Sequence, residues 1–441
     1  MTQFHPTPIP SETVDAVLNK YSIKDVGYAT IREIVSVVND LEQITSQSFI
    51  RMEMGVPGLL ASSIGVNAEI EALKIGVASK YPMLEGIQPL KNEASRFAKA
   101  FLNISIPADC CVPTVGSMQG SFASLLLAGQ LDNAKNTILF IDPGFPVQKH
   151  QVRAMGYEIA TFDVNDFRGD KLKNKLESIL KTNKIAAIIY SNPNNPSWIC
   201  LNELELETIG GLASEYDAIV VEDLAYFGMD FRSDISVPFE PPYQATVANY
   251  TDNYVLLISS SKVFSYAGQR VALLCLSPQL NKRYYNSLKK RYDVGEFGNA
   301  LVSRLLYTLS SGTSHSAQFA LAAMLKSASD GEFHFLNDVR EYQKRASLMK
   351  DAFLKNGFLL TYDKDIDLPL ADGFYFTISY PGFTGSQLLR VLLNYGISAI
   401  ALYSTGSTRE GFRACVSQTG GDKIDLLEKR LSQFKNDLKS R

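Results

Sequence analysis

The chain is poor in the residues that build metal centres and disulfide frameworks: its 441 residues include five cysteines and four histidines. Cys110, Cys111, Cys200, Cys275 and Cys415 are odd in number and lack metal-ligand spacing, so neither a cross-linked framework nor a zinc site is expected. They read as buried apolar fillers. His5, His150, His315 and His334 form no H-E-x-x-H pattern, which argues against a metallohydrolase or a histidine-based triad, and no metal is expected. No run of about 18 apolar residues occurs, so no membrane-spanning helix is predicted. The opening Met-Thr-Gln-Phe-His-Pro-Thr-Pro-Ile-Pro has no basic region followed by an apolar one, and a cytoplasmic protein is the expectation. An excess of one charge is lacking too. A net charge of -3 and a pI near 5.9 favour neither nucleic acid nor an anionic membrane as partner. There is no internal repeat and no low-complexity tract.

What is present is an ordinary globular composition, 46% hydrophobic and 20% charged, at a length that implies two domains. Short apolar runs at residues 137–141, 186–190, 219–221, 255–258 and 272–276 alternate mostly with helical or turn segments. This predicts an α/β fold, with a large, mostly parallel sheet sandwiched by helices. The last third differs: a polar loop at 310–316, a long amphipathic helix around 333–354, a helix at 386–395, a strand near Ile397 and a charged final helix at 424–438. It predicts a smaller α+β domain. At the other end, an extended arm to Pro10, a helix capped by Ser11 and a second helix at 30–44 are expected to join it. The large, cofactor-binding domain is then 50–325, and the small one is 1–49 with 326–441.

Ligands of open α/β sheets sit at the carboxyl ends of strands. The polar residues that follow the apolar runs are therefore the informative ones: Asp142-Pro-Gly-Phe145-Pro, Ser191-Asn-Pro-Asn-Asn195-Pro-Ser-Trp, Glu222-Asp223-Leu-Ala-Tyr226, and Lys262. Lys262 follows Val-Leu-Leu-Ile-Ser-Ser-Ser. A lysine where a buried strand emerges is partly desolvated, and the neutral amine this favours is what Schiff-base chemistry with a carbonyl requires. Ser259, Ser261 and Arg270 offer hydroxyls and a cationic fork suited to a phosphate dianion. Carbonyl plus phosphate points to pyridoxal phosphate. A surface lysine beside a solvated arginine is the plainer alternative. Further upstream, Pro113-Thr-Val-Gly116-Ser117-Met118 reads as a strand end, a small-residue turn and a helix start, whose free amides and positive dipole end suit a phosphate. Arg51-Met-Glu-Met-Gly55-Val-Pro-Gly reads equally as a packing turn or as backbone open to a ligand.

Taken in order from about Gly55 to Arg413, these residues resemble the class I and II aminotransferases, pyridoxal-phosphate enzymes of fold type I. The resemblance implies that Asn195 donates to the cofactor O3′ and borders the substrate, that Asp223 faces the pyridine nitrogen, and that Tyr226 bonds O3′. Glu222 is set aside, because alternation along a strand turns it to the other face. Lys262 is implied as the attachment point and proton shuttle. Arg270, eight positions on, would hold the phosphate with Ser259, Ser261, Ser117 and the Met118 amide. Phe145 would stack on the ring, although a core phenylalanine is the plain reading. Tyr81 resembles the tyrosine that reaches a neighbouring subunit's phosphate, which implies a homodimer with shared active sites. Arg413 resembles the arginine for the substrate α-carboxylate, aided by the Gly55 backbone; a structural ion pair is its alternative. One departure stands out: Ser-Trp follows Asn195-Pro where the family usually has Thr-Gly, leaving the next turn undetermined.

The activity so implied is ping-pong exchange of an amino group between an L-α-amino acid and a 2-oxo acid. A lyase or decarboxylase of the same fold shares the whole cofactor shell and is the first rival. An aminotransferase-like effector domain of a transcription regulator is the second. It needs a basic helix-turn-helix ahead of the fold, and the first 50 or so residues carry no basic patch. Side-chain specificity is not readable.

Overall fold

The computed structural model describes residues 7–440. His5 and most of the expected N-terminal arm lie outside them. The chain divides into two compact units. One comprises Leu59–Asn194 and Ile199–Val339; the other comprises Met1–Gly58, Asn195–Trp198 and Arg340–Arg441, as far as these are described.

The larger unit is built on seven strands: β1 Cys111–Thr114, β2 Thr137–Asp142, β3 Glu158–Asp163, β4 Ile185–Ser191, β5 Ile219–Leu224, β6 Tyr254–Ser259 and β7 Ala272–Leu276. Their spatial order is β1-β7-β6-β5-β4-β2-β3. Neighbours run parallel from β6 through β3, and β7 is antiparallel to both β1 and β6. All residues of β2, β5, β6 and β7 are buried, which is why each of these strands contains an apolar run. The two edges read differently. β3 exposes Glu158 and Thr161 and has no apolar run, and β1 contains Pro113, which an edge strand tolerates because one side of it makes no ladder bonds. Helices flank the sheet; the first, α1 Gly116–Ala128, follows β1 at once, and α2 Pro146–Ala154 follows β2.

In the smaller unit the strands β8 Leu359–Leu360, β9 Tyr375–Ser379, β10 Ile400–Ala401 and β11 Phe412–Cys415 lie in the order β10-β11-β9-β8, all antiparallel. Arg413 stands in the interior strand β11, opposite Thr377 on one side and Ile400 on the other. The N-terminal helices behave unequally. Thr30 caps the helix Ile31–Thr45 in a full capping box with Glu33. Ser11 does not cap: Pro10 takes the cap position, and the Ser11 hydroxyl instead accepts from Asn394 Nδ2 at 3.1 Å. Among the described residues no helix is long and apolar enough to cross a membrane.

Candidate active site

Sheet register gathers the candidate residues of the larger unit at one edge. Asp142, Ser191 and Ser259 end their strands there, and Asp223 lies one residue before the end of β5. Asp223 and Glu222 diverge as alternation requires. Glu222 turns to Tyr190 Oη at 3.2 Å, the Thr246 hydroxyl at 2.5 Å and the Val247 amide at 3.2 Å. Asp223 turns to α2, where Gln148 Nε2 donates to its Oδ2 at 2.9 Å. Burial pushes Asp223 up to about 6, against the pull of Gln148 and the nearby Ala225 amide. The same cause takes Glu222 to about 7 despite its three donors. Asp223 Oδ1 is buried and finds no hydrogen-bond partner among the described residues. Tyr226, buried, follows three positions later.

Lys262 does not extend from the strand itself. It sits on a single helical turn, Ser260–Val263, whose first amides are capped by Ser259: the Ser261 N–H donates to Ser259 Oγ at 3.1 Å. Lys262 and Ser261 are half-buried. Because β6 neighbours β5, the turn bearing Lys262 lies beside the strand end with Asp223 and the turn with Tyr226.

The two expected phosphate sets meet. Gly116, at φ 67°, opens α1, and a Cβ there would come within 2.5 Å of Arg270 Nη2, so any side chain at 116 would displace the guanidinium from the helix start. Arg270 Nη1 donates to the Ala267 carbonyl at 2.8 Å. Ser117 Oγ is shielded and has no partner among the described residues. The Met118 carbonyl is held by Gln151 and Ser121, which leaves its amide as part of the helix start. Phe145 occupies the cap position of α2, three residues before Gln148. Tyr81 stands apart from this group, on a loop and 90% exposed.

In the smaller unit, Arg413 and Asn195 come together across 218 residues. Arg413 Nη1 donates to Asn195 Oδ1 at 3.3 Å and Nη2 to the Glu53 carbonyl at 2.6 Å, while Nε finds no partner among the described residues. Its guanidinium carbon lies 4.6 Å from the Tyr375 ring centroid. Gly55 packs on the same tyrosine: a Cβ there would meet Tyr375 Oη at 2.0 Å. The undetermined turn after Asn195 keeps a left-handed backbone at Trp198, φ 65°.

These residues suit pyridoxal phosphate. A buried carboxylate oxygen without a partner matches a protonated ring nitrogen, and a helix start with an idle hydroxyl and a guanidinium against its first glycine matches a phosphate. Sequence reasoning missed Gln148 and Tyr375. Gln148 carries no signal of its own beyond its place in the first turn of a helix following a strand end, and Tyr375 is one of three consecutive aromatics, Phe374-Tyr375-Phe376, with nothing in the sequence to single it out. Among the described residues no group of His, Cys, Asp or Glu could hold a metal ion.

The family model for aminotransferase class I and II matches residues 58–430. The chain is 23% identical over 325 residues to a probable aspartate aminotransferase of Methanocaldococcus jannaschii, covering 73% of this chain and 79% of that protein. It is 22% identical over 395 residues to an LL-diaminopimelate aminotransferase of Oleidesulfovibrio alaskensis, covering 87% and 91%. Among solved structures, an aspartate aminotransferase double mutant from Thermus thermophilus matches with a TM-score of 0.74 at 17% identity over 93% of this chain and 96% of that one, a likeness of fold.

Proposed function

This chain belongs to the class I and II aminotransferases and is an aminotransferase; on that premise we propose that it exchanges an amino group between an L-α-amino acid and a 2-oxo acid in a ping-pong cycle. Aminotransferases of this type use pyridoxal phosphate. We assign its holding here to Lys262 as the covalent anchor, Asp223 at the ring nitrogen, Tyr226 and Asn195 at O3′, Phe145 on the ring face, and Arg270, Ser117, Ser259, Ser261 and the Met118 amide at the phosphate. When bound, the cofactor supplies an electron sink for the carbanion at the substrate Cα. The chain's own residues do the rest. Asp223, ionised, keeps the ring nitrogen protonated. The Lys262 amine takes the proton from the substrate Cα and later returns it. Arg413, with the Gly55 backbone, holds the α-carboxylate through paired hydrogen bonds and so orients the Cα–H bond for removal. The protein is proposed to be a cytoplasmic two-fold homodimer. Supporting the dimer are the nearly full exposure of Tyr81 and the exposed apolar residues near it in sequence, Leu73, Ile75 and Met83.

The observation that carries this reading is Asp223, a buried carboxylate with one oxygen engaged by Gln148 and the other without a partner among the described residues. Two measurements test it. Borohydride reduction of the purified protein, followed by peptide mapping, should place a pyridoxyl group on Lys262; a label on another lysine sinks the assignment. A panel of amino donors against 2-oxoglutarate, pyruvate and oxaloacetate should then yield amino transfer to at least one acceptor.

A further inference from the structure

Trp198 heads the fully buried side chains by volume, is 1% exposed, and has a backbone conformation rare for a bulky residue. Its indole fits because residue 373 is glycine: a Cβ there would come within 2.1 Å of the ring. The indole meets Tyr375 nearly edge-on, with centroids 6.2 Å apart and planes at 68°. Tyr375 in turn faces the Arg413 guanidinium at 4.6 Å. Strand geometry explains this last contact. Thr377 pairs with Arg413 across β9 and β11, so Tyr375, two residues back on the same face, is the diagonal neighbour of the arginine. The tetrapeptide that ends in Trp198 begins with Asn195, whose Oδ1 accepts from Arg413 Nη1. One four-residue segment thus braces the guanidinium twice, in its plane through Asn195 and from its face through Trp198 and Tyr375.

We propose that Trp198 is a positioning residue for carboxylate recognition: it wedges Tyr375 against Arg413 and thereby fixes the plane in which the guanidinium meets the substrate carboxylate. The proposal rests on the carboxylate-binding role assigned above to Arg413. Two parallel hydrogen bonds to a carboxylate require the fork and the carboxylate to be coplanar, so an arginine free to tilt loses one of them. Strain held at a buried residue beside such a group is where a positioning role is expected.

The test uses the cofactor-loaded enzyme. Dissociation constants are measured for 2-aminoisobutyrate, which has no Cα–H to lose, and for tert-butylamine, which replaces its carboxylate by a methyl group; kcat and KM are measured for the best donor from the panel. Trp198→Gly suits the left-handed backbone and removes the wedge. It should weaken 2-aminoisobutyrate about tenfold and lower the donor's kcat/KM by at least as much, with tert-butylamine affinity and cofactor absorption within about twofold of the parent. Trp198→Phe retains an aromatic edge and should recover most of the loss. If Trp198→Gly does not fold, Tyr375→Leu removes the ring while leaving Trp198, and the same selective loss is expected. Equal losses for the acid and the amine, or unchanged binding of the acid in whichever variant folds, overturn the proposal. Arg413→Lys in parallel separates the two readings. If it fails to discriminate acid from amine, the role of Arg413 falls; if it discriminates and the Trp198 and Tyr375 variants do not, only the wedge falls.

Discussion

Gln148→Leu removes the side-chain hydrogen bond to the carboxylate proposed to face the cofactor. Gln148 Nε2 donates to Asp223 Oδ2 at 2.9 Å, with both side chains buried. Burial moves Asp223 from its ordinary 3.8 to about 6. Between those values the folded, cofactor-free protein holds a proton that the unfolded chain has lost, so stability falls as pH rises through this window, by about 3 kcal/mol in all. Leucine is close to glutamine in volume but cannot donate. Below pH 5 Asp223 is neutral in both proteins, and the variant lacks a neutral hydrogen bond worth about 1 kcal/mol. Above pH 8 the carboxylate is charged in both, and the missing bond is worth about 1.5–3 kcal/mol. The difference raises the carboxyl's pKa further in the variant. Urea unfolding of the cofactor-free proteins at pH 5 and pH 8.5 should therefore show a deficit that grows from about 1 to about 2.5 kcal/mol. In an Asp223→Asn background the deficit should not change with pH. A deficit equal at both pH values would refute the reasoning, because Gln148 would then not be supporting a charge.

Glu222, fully buried and ionising at about 7, likewise lowers stability as pH rises from 4.5 toward 7; Glu222→Gln should flatten that part of the urea-derived profile by up to about 3 kcal/mol, and a profile parallel to the parent would show that Glu222 does not titrate there. Asp223→Asn should retain cofactor but slow exchange of the substrate Cα proton about a hundredfold or more, since an electrostatic contribution of this kind is worth about 3 kcal/mol; near-parental exchange, followed by NMR in deuterated water, would remove Asp223 from its role. Mixing inactive Tyr81→Ala with inactive Lys262→Ala should restore activity under subunit exchange, because a hybrid dimer with crossing tyrosines contains one site free of both lesions; no recovery counts against the shared site.

The larger sheet was legible because its central strands are buried on both faces and begin as apolar runs, and because the polar residues at the end of each strand mark the edge where a ligand can sit. Alternation alone separated Asp223 from Glu222, and their different partners, Gln148 on one face and Tyr190 with Thr246 on the other, follow from it. The edge strands were less legible for the same physical reason in reverse: β3 is half solvated and went unread, and β1 carries a proline, so only its end at Pro113-Thr114 was read. Ser11 had the composition of a cap, but the chain ahead of it already places Pro10 in the cap conformation, and its hydroxyl serves Asn394. Lys262 was singled out as a candidate by its neighbours, whereas the helical turn on which it stands depends on Ser259 folding back to cap it. Residue types and local periods thus determined the class of fold and the candidates, and the family followed from the resemblance those residues carry. Tertiary structure alone decided the pairings: Gln148 with Asp223 across 75 positions, Arg413 with Asn195 across 218, and the indole of Trp198 in the space left by Gly373. A periodic pattern reports how deeply each residue is buried against its own element, but which distant side chains then meet is set by strand register and turn conformation, and these leave no local trace in the sequence.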